Sequence, residues 1–236
     1  MKFSIVIPCY NEYANLPLLI DNILPLLNDY ELEYILVENG SNDNSRDYIQ
    51  NNIDGKYKNI KIVYVDINKG YGFGLKQGLK LAKGQYLGWL HCDMQVHPND
   101  LRPIFDFALA NNSNQKLFIK ATRLSRPLID RFFSVSQTIF SSIIFFYRMP
   151  DIGASPLVFS KFLIDNFDIM PDDFSIEVFT YLIAKKKKFH IKRFKIFLND
   201  RKNSNSSWNT GLISKFKLSL TLIKSSIIIK IRDLKE

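Results

Sequence analysis

Polar side chains capable of chemistry gather in one stretch of the chain, residues 84 to 100, where a buried strand is predicted to end. Tyr86 to Leu90 are apolar enough for that strand, and Pro98 is placed to open a helix. Polar residues at the end of a buried strand are typical of the active-site edge of an α/β protein. The residues between the strand and the proline that carry this prediction are His91, Asp93, Gln95 and His97.

Length and charge limit what the chain can be. Its 236 residues suffice for one large α/β domain, and we expect one such domain followed by a C-terminal extension. The formal net charge of +9 favours an anionic partner: a nucleotide diphosphate, acidic lipid headgroups or nucleic acid. The aromatic residues do not alternate with basic ones as stacking platforms for bases would, so we expect no nucleic-acid partner.

Cysteine content and the apolar stretches indicate the compartment. Cys9 and Cys92 are too few for a disulfide framework or a zinc site, and we expect free thiols in a reducing cytoplasm. The N-terminus has no charged leader followed by a long apolar run, so no signal peptide is expected. The longest uncharged stretch, residues 132 to 147, is shorter than the ~20 residues of a spanning helix, so we expect no membrane span.

The segments that must position the polar residues alternate between strands and helices. Strands are predicted at 3 to 8, 34 to 37, 60 to 65 and 85 to 90, with helices at 14 to 28, at 43 to 53 and from about 70 onward. This alternation indicates βαβ units and a largely parallel sheet, whose ligands bind at the carboxyl ends of the strands. Glu12, Glu38 and Asp93 fall at three of those ends.

The second half of the chain is less regular. Helices are predicted at 98 to 111, 129 to 146, 160 to 167 and 173 to 186, strands at 117 to 122 and 189 to 198, and a loop at 199 to 211. Residues 212 to 231 form a final helix with one apolar stripe and lysines outside it. We therefore divide the chain into a domain of residues 1–211, with halves 1–97 and 98–211, and a helical extension, 212–236.

Five segments carry motifs in a recognisable order and spacing: Ile7 to Glu12, Val37 to Asp43, Gly70 to Gly74 followed by Gly78, His91 to Gln95, and Arg201 with Ser206 to Trp208. Together they resemble the family 2 glycosyltransferases of the GT-A fold, especially the branch of dolichol-phosphate mannose synthase and other polyprenyl-phosphate glycosyltransferases. The likeness covers roughly residues 3 to 210. The departures from the family pattern are Glu38 and Asn39 for two usual acids, His91 for the first acid of the fourth motif, Ser204 for a glycine and Ser207 for a lysine.

The resemblance implies both a fold and an activity. The fold is α/β and Rossmann-like, with a mainly parallel central sheet flanked by helices. The activity is transfer of a sugar, with inversion, from a UDP- or GDP-sugar to a polyprenyl phosphate or a cell-surface glycan, as in assembly of cell-envelope polysaccharide. The replaced acids motivate one alternative, a nucleotide-sugar-binding pseudoenzyme.

A divalent cation is the implied cofactor, because it neutralises the charge that develops on the leaving diphosphate. Asp93 and the amide oxygen of Gln95 suit Mg²⁺ or Mn²⁺. The alternative for Asp93 is a turn or helix cap. For His91 three interpretations stay open: it ligates Mn²⁺, it hydrogen-bonds ribose or phosphate, or it marks a site with weak or no metal dependence.

The predicted donor-binding residues lie on the first four motifs. Glu12 and Glu38 are expected to accept hydrogen bonds from base and ribose, with turn capping as the alternative for Glu38. The glycine run is as typical of close packing as of phosphate binding, and Lys76 either reaches the donor or lies on a solvated helix face. The full set is Pro8, Tyr10, Asn11, Glu12, Glu38, Gly40, Ser41, Gly70, Gly72, Lys76, His91 and Cys92.

Two residues complete the predicted catalytic set of Asp93, Glu177 and Arg201. Glu177 matches the family's acid on the acceptor side and would deprotonate or orient an acceptor hydroxyl, whereas a lipid phosphate is already ionised and needs no base. Asp151 and Asp173 are the competing carboxylates. Arg201 is expected to pair with phosphate on donor or acceptor.

Basic residues concentrate near the end of the chain, at 185 to 188 and 192 to 195. They form either a solvated helix end or, with the apolar helix near 132 to 147 and the C-terminal helix, a face that docks on an anionic membrane. We expect a cytoplasmic protein, peripheral on the inner face of the cytoplasmic membrane in the second case.

Overall fold

The computed structural model describes residues 1–124, 128–199 and 211–233. The strands are β1 (Phe3–Cys9), β2 (Leu32–Asn39), β3 (Ile60–Val65), β4 (Tyr86–Trp89), β5 (Leu117–Leu124), β6 (Leu157–Ser160) and β7 (His190–Phe197). The α-helices are α1 (Leu16–Asp29), α2 (Ser45–Asn52), α3 (Tyr71–Leu81), α4 (Arg102–Ala110), α5 (Leu128–Phe145), α6 (Ile176–Lys186) and α7 (Leu212–Asp233). Short 3₁₀ turns occupy Pro98–Leu101, Lys161–Leu163 and Phe167–Ile169.

All seven strands form one sheet in the order β3-β2-β1-β4-β6-β5-β7. Strands β1 to β4 pair in parallel, and β7 pairs in parallel with β5. Of the described strands, only β6 runs the other way, antiparallel to both of its neighbours. The predicted α/β class with a mainly parallel central sheet is therefore confirmed.

The order reverses beside β1, which pairs with β2 on one side and β4 on the other. A reversal of this kind leaves a crevice at the carboxyl ends of the strands, because the following helices leave to opposite faces of the sheet. Helix α1 packs in one of the two hydrophobic cores and α3 in the other, so these two helices flank the crevice from opposite faces of the sheet. Strands β1 and β2 are buried almost throughout, as their apolar sequences require.

Helix α3 sits unusually close to the sheet because it carries glycine where its face meets β1 and β2. A Cβ atom at Gly78 would lie 2.4 Å from Cγ1 of Val6 and 3.0 Å from Cγ2 of Val37. A Cβ atom at Gly74 would lie 2.9 Å from the side-chain carbon of Asn39. These glycines are therefore required by packing, and they hold the start of α3 against the carboxyl end of β2.

One prediction for the second half was wrong. The helix expected at 160 to 167 is instead the end of β6 followed by two separate 3₁₀ turns. Strand β6 itself lies inside the sheet, between β4 and β5. The loop expected at 199 to 211 lies almost wholly outside the described residues, and the division of the chain at residue 211 stays a prediction.

Helix α5 is, among the described residues, the one helix long and apolar enough to cross a membrane by length and composition alone. Only its Ser141 and Phe145 are buried. It packs beside α7, whose buried residues are Leu222, Ser226 and Ile229. The two helices form an outer layer on the fold.

Candidate active site

The carboxyl ends of β1, β2 and β4 lie side by side because the three strands are parallel neighbours. The structure therefore brings the segments that carry Glu12, Glu38 and Asp93 to one edge of the sheet, as predicted. Pro8 lies within β1, paired with Val37, and Tyr10 follows the strand.

The turns after β1 and β2 are bonded directly to each other. The backbone N–H of Asn11 donates to Oγ of Ser41 at 3.1 Å, and the N–H of Asn42 returns a bond to Oδ1 of Asn11 at 2.9 Å. The N–H of Glu12 donates to Oγ of Ser45 at 2.9 Å. Asn11 adopts a left-handed φ of 57°, which asparagine tolerates well. The two motifs thus fold as one unit.

Glu38 is completely buried at the end of β2. Its Oε1 accepts the N–H of Ser41 at 2.6 Å, which is the turn-capping contact, and Nε of Arg46 lies 3.3 Å from Oε2. Oε2 of Glu38 and Oδ1 of Asn39 have no hydrogen-bond partner among the described residues. Buried acceptors of this kind are normally satisfied by water or a ligand.

Glu12 lies half-buried at the mouth of the crevice, and its Oε2 accepts a hydrogen bond from Nδ2 of Asn15 at 2.6 Å. This position leaves the carboxylate in contact with solvent, unlike that of Glu38. Of the two predicted base- and ribose-binding acids, Glu12 is the accessible one.

The glycine motif packs against the segment 171–173. A Cβ atom at Gly72 would meet the carbonyl oxygen of Pro171 at 2.3 Å, and one at Gly70, which has φ 121°, would meet that of Asp172 at 2.4 Å. Gly40, at φ 71°, is similarly tight against the backbone of Asn68. The geometry thus gives these glycines a packing role, and phosphate binding by Gly70 and Gly72 stays a prediction.

Lys76 does not lie on a solvated helix face. Its side chain is buried, and Nζ donates to the carbonyl oxygen of Met170 at 3.0 Å and pairs with Asp172 at 2.5 Å. The lysine therefore fastens α3 to the segment that precedes α6. This placement corrects the solvent-face interpretation, because the segment 170–172 covers the helix.

The segment after β4 turns sharply around Asp93. Met94 has a left-handed φ of 56°, and Oδ1 of Asp93 accepts the N–H of Gln95 at 3.2 Å. The carbonyl oxygen of Gln95 accepts the N–H of Asn199 at 2.8 Å, which ties this turn to the end of β7. His97 caps the following 3₁₀ turn through Nδ1, which accepts the N–H of Asn99 at 3.1 Å.

Both cysteines are free thiols, as predicted, and both are buried beneath this edge. Burial raises the pKa of Cys9, and the hydrogen bond that Cys92 donates to Cys9 together with burial raises the pKa of Cys92 well above its ordinary value. Neither group is a thiolate at neutral pH. Contact of Cys92 with a donor stays a prediction.

Glu177 lies in the first turn of α6 and is buried, with 4% of its surface exposed. Its carboxylate accepts hydrogen bonds from Nε1 of Trp89 at 2.7 Å, from Nζ of Lys120 at 2.9 Å and from Oη of Tyr71 at 3.3 Å. Lys120 is completely buried in β5, and burial lowers its pKa while Glu177 opposes that shift. A carboxylate held by three donors is poorly suited to act as a general base, because a general base must reach the hydroxyl of the acceptor.

The same network reaches His91. Oη of Tyr71 lies 2.9 Å from Nε2 of His91, and the two rings meet edge to face. Tyr71 also stacks on Phe174, with ring centroids 4.5 Å apart. A continuous path of hydrogen bonds therefore runs from the partly exposed His91 to the buried Lys120.

Tyr71, Trp89 and Lys120 were missed by sequence reasoning. A signal was present for Lys120, because a single lysine within the apolar run of β5 requires a buried counter-charge. No pattern in the sequence pairs Tyr71 with His91, which are 20 residues apart.

The remaining predicted residues are separate from this network. Asp151 pairs with Arg123, and Asp173 accepts bonds from Ser175 and from Ser225 of α7. Arg193, within the basic cluster, donates to Thr122, Ala121 and Pro150, so it is a structural residue of β7. Arg201 and Ser206 to Trp208 lie outside the described residues.

The chemistry of the donor set fits a divalent cation bound together with a diphosphate. Among the described residues no group of three or more His, Cys, Asp or Glu side chains is placed to hold a metal ion by itself. Mg²⁺ and Mn²⁺ sites in phosphate-transfer proteins commonly use one or two protein ligands, with the substrate's phosphates supplying others. Asp93, buried in the turn after β4, and the amide oxygen of Gln95 would form such a minimal set, and this assignment stays a prediction.

A model of the glycosyl transferase family 2 domain matches residues 4–147, more than half of the chain and all of the edge described above. The chain belongs to glycosyl transferase family 2. The predicted family membership is confirmed.

The curated relatives of this family 2 chain include two polyprenyl-phosphate enzymes. It is 25% identical over 111 residues to dolichyl-phosphate beta-glucosyltransferase of Dictyostelium discoideum, which covers 44% of this chain and 34% of the relative. It is 27% identical over 163 residues to undecaprenyl-phosphate 4-deoxy-4-formamido-L-arabinose transferase of Pseudomonas fluorescens, covering 64% and 48%. The chain thus spans about a third to a half of the length of these relatives.

Solved structures support the GT-A fold. Glucosyl-3-phosphoglycerate synthase of Mycobacterium tuberculosis, solved with Mn²⁺, UDP and glucosyl-3-phosphoglycerate, matches with a TM-score of 0.71. The match covers 97% of this chain and 79% of that one at 17% identity. At this identity the likeness shows the fold alone.

Proposed function

We propose that this family 2 chain transfers a sugar, with inversion, from a UDP- or GDP-sugar to a polyprenyl phosphate. The observation that carries the proposal is the convergence of Glu12, Glu38 and Asp93 at the edge beside the strand-order reversal. The names of two curated relatives, which state polyprenyl-phosphate acceptors, support the acceptor class. The inactive nucleotide-sugar-binding alternative has no support from these relatives.

Donor binding is assigned to the joined turns after β1 and β2. Glu12 accepts hydrogen bonds from hydroxyl or imide groups of the nucleoside, since it is the accessible acid of the pair. Glu38 holds the turn through Ser41, and the buried acceptors Oε2 of Glu38 and Oδ1 of Asn39 are suited to ribose hydroxyls. Pro8, Tyr10, Gly40 and Cys92 line the same edge in this proposal.

The diphosphate is assigned to the turn after β4. Asp93 holds a divalent cation, Mg²⁺ or Mn²⁺, and Gln95 contributes its amide oxygen. When bound, the cation neutralises the charge that develops on the leaving diphosphate. Arg201 is proposed to pair with phosphate on donor or acceptor.

The acceptor needs no general base. A phosphate monoester is ionised at neutral pH, so its oxygen attacks the anomeric carbon without losing a proton. This chemistry agrees with a Glu177 carboxylate that is fully engaged by Trp89, Lys120 and Tyr71. Glu177 acts in this proposal by positioning other groups.

The test is transfer of labelled sugar from a panel of UDP- and GDP-sugars to undecaprenyl phosphate, with Mg²⁺ or Mn²⁺ present. Lipid-extractable label from one donor is expected. If a donor binds but no donor in the panel yields labelled lipid, the proposal is contradicted and the inactive alternative is favoured.

We further propose that the protein docks on the inner face of the cytoplasmic membrane through α5 and α7. The exposed apolar residues of α5 recur at helical spacing, and those of α7 do the same. Basic side chains accompany them, with Nζ of Lys230 placed 5.4 Å from the ring centroid of Phe146. Exposed apolar surface of this extent is rare on soluble monomers. The exposed apolar residues are Leu128, Ile129, Phe132, Val135, Ile139 and Ile143 of α5 and Ile213, Phe216, Leu220, Ile227, Ile228 and Ile231 of α7.

Replacing Phe132 and Phe216 together with serine should release the protein from vesicles of anionic phospholipid. The expected loss of vesicle binding is roughly tenfold or more, because both rings are more than half exposed and each adds about 1.5–3 kcal/mol when buried. Co-sedimentation with the vesicles measures it. Ile67→Ser is the matched control, since Ile67 is 70% exposed but lies outside both helices. Equal binding by the double variant and wild type would contradict the docking surface.

A further inference from the structure

The turn after α5 presents an aromatic side chain to solvent. Phe146 is 84% exposed and adopts a left-handed φ of 59°, a conformation that is uncommon for a bulky residue. The turn is fixed to α5, because the N–H of Met149 donates to Oγ of Ser142 within that helix at 3.2 Å. A fixed turn thus holds an apolar ring in water on a strained backbone, and strain of this kind is concentrated at functional sites.

Basic side chains accompany the exposed ring. Nζ of Lys230 in α7 lies 5.4 Å from the centroid of the Phe146 ring. The two residues that follow along the chain, Tyr147 and Arg148, are also exposed. Exposed aromatic rings beside long cationic side chains are typical of segments that enter the headgroup region of a membrane.

Arg148 belongs to a group of three cations gathered around Tyr181. Arg193 of β7 donates from Nη1 to Oη of Tyr181 at 3.2 Å and to the carbonyl oxygen of Pro150 at 2.8 Å. Nζ of Lys185 in α6 lies 5.8 Å from the centroid of the Tyr181 ring. Arg148 precedes Pro150 by two residues, so the turn that carries it is bonded directly to Arg193. The three charges therefore come from three different elements.

These cations have no matching acid. Among the described residues, Arg193 donates to hydroxyl and carbonyl oxygens alone. The acid that acts on the same group, Asp151, already pairs with Arg123. Burial lowers the pKa of Lys185, and the charges of Arg193 and Arg148 lower it further. An anionic ligand at this place would replace repulsion between cations with attraction.

Lys185 differs from the exposed lysines that end α6. Lys187, for example, extends into solvent and pairs with the exposed Asp165 at 3.3 Å. Lys185 is half-buried against Tyr181. A lysine in the last turn stabilises the helix dipole, but Arg148 and Arg193 lie outside α6, so the dipole does not account for the group.

We propose that Arg148 and Lys185, beside the fixed charge of Arg193, bind the phosphate of an anionic phospholipid headgroup while Phe146 enters the acyl region. The proposal rests on the membrane docking proposed above and adds a defined lipid site to it. Lys185 lies about 12 Å along α6 from Glu177, at about 1.5 Å per residue. A phosphate bound here is therefore remote from the edge where transfer is proposed, which favours a bulk phospholipid over the acceptor.

Co-sedimentation of the double variant Arg148→Gln/Lys185→Gln with vesicles tests the headgroup site. With phosphatidylcholine vesicles that contain phosphatidylglycerol, we expect binding to weaken roughly 25-fold, about fivefold for each basic residue. With phosphatidylcholine alone, the variant should bind as wild type does. Wild-type protein that binds both kinds of vesicle equally overturns the headgroup site, even if α5 and α7 dock as proposed.

Lys58→Gln/Lys83→Gln is the matched control. It removes the same charge from two exposed lysines that precede β3 and β4, at the amino ends of these strands. Its binding to the anionic vesicles should fall by less than about twofold, because charges beyond the screening length contribute little. A loss equal to that of Arg148→Gln/Lys185→Gln would show an effect of net charge alone and overturn the site.

Phe146→Asn separates insertion from folding. Asparagine tolerates the left-handed φ, so the midpoint of thermal unfolding should stay the same or rise. Binding to the anionic vesicles should weaken roughly tenfold, because the exposed ring no longer enters the acyl region. Unchanged binding overturns the role of Phe146.

Transfer to a short-chain polyprenyl phosphate without vesicles distinguishes this site from the proposed function. Arg148→Gln/Lys185→Gln, checked for folding by circular dichroism, should transfer sugar at the wild-type rate. A lower rate at limiting acceptor would show that the cations bind the acceptor phosphate, and it overturns the proposal. If wild type transfers sugar to no acceptor while the vesicle results hold, the headgroup site is supported and the proposed function alone fails.

Discussion

Replacing Asp93 with asparagine should lower sugar transfer by roughly 10²–10³-fold while leaving the protein folded. The substitution keeps the size of the side chain and an oxygen that accepts the N–H of Gln95, so the turn after β4 is preserved. It removes the negative charge that holds the cation opposite the diphosphate. The measurement is the initial rate of transfer from the preferred sugar nucleotide at saturating lipid acceptor, with circular dichroism as the check on folding.

Asp165→Asn is the matched control for this substitution. The Asp165 side chain is 84% exposed and pairs with Lys187, an ion pair of a kind that contributes little to stability. Its transfer rate should equal that of wild type. A folded Asp93→Asn variant that retains near-normal turnover would contradict the assignment of the cation and diphosphate to this turn.

Replacing Lys120 with methionine should lower the free energy of unfolding by about 3–5 kcal/mol. Methionine fills nearly the same volume, so the loss comes from the Glu177 carboxylate, which is left buried without its counter-charge. Urea denaturation followed by fluorescence measures it, and the slope with denaturant should stay constant.

The double variant Lys120→Met/Glu177→Gln separates the charge from the packing. Glutamine still offers an oxygen to Trp89 but carries no charge, so the double variant should be more stable than Lys120→Met alone. A loss below about 1 kcal/mol in Lys120→Met would show that the buried ion pair does not hold α6 against β5.

The first half of the fold follows from its sequence because each strand there is a short apolar run closed by turn residues. Strand β3 begins and ends at the predicted residues, and β1, β2 and β4 begin or end within about two residues of prediction. The position of Glu12, Glu38 and Asp93 at one edge then follows from parallel pairing. In this half the local hydrophobic pattern agrees with the topology of the sheet, so the periodicity of apolar residues is enough to predict the strands.

The second half required contacts that no local pattern contains. The inner position of β6 depends on pairing with β4 and β5, which are far away in sequence. The residues that surround Glu177 belong to α3, β4 and β5. The motif that identified Glu177 therefore did not predict its contacts with Tyr71 and Lys120. The sequence left a solvated helix face open for Lys76 because the segment that covers the side chain follows about 95 residues later.

The bond formed in the product tests the central claim most directly. Phosphorus NMR of the lipid product, made from a sugar nucleotide of known anomeric configuration and undecaprenyl phosphate, identifies the new linkage and its configuration. We predict a phosphodiester between the sugar and the lipid phosphate, with the anomeric configuration inverted relative to the donor. A sugar linked to a carbohydrate hydroxyl, retention of configuration, or donor hydrolysis without any lipid product would contradict the account.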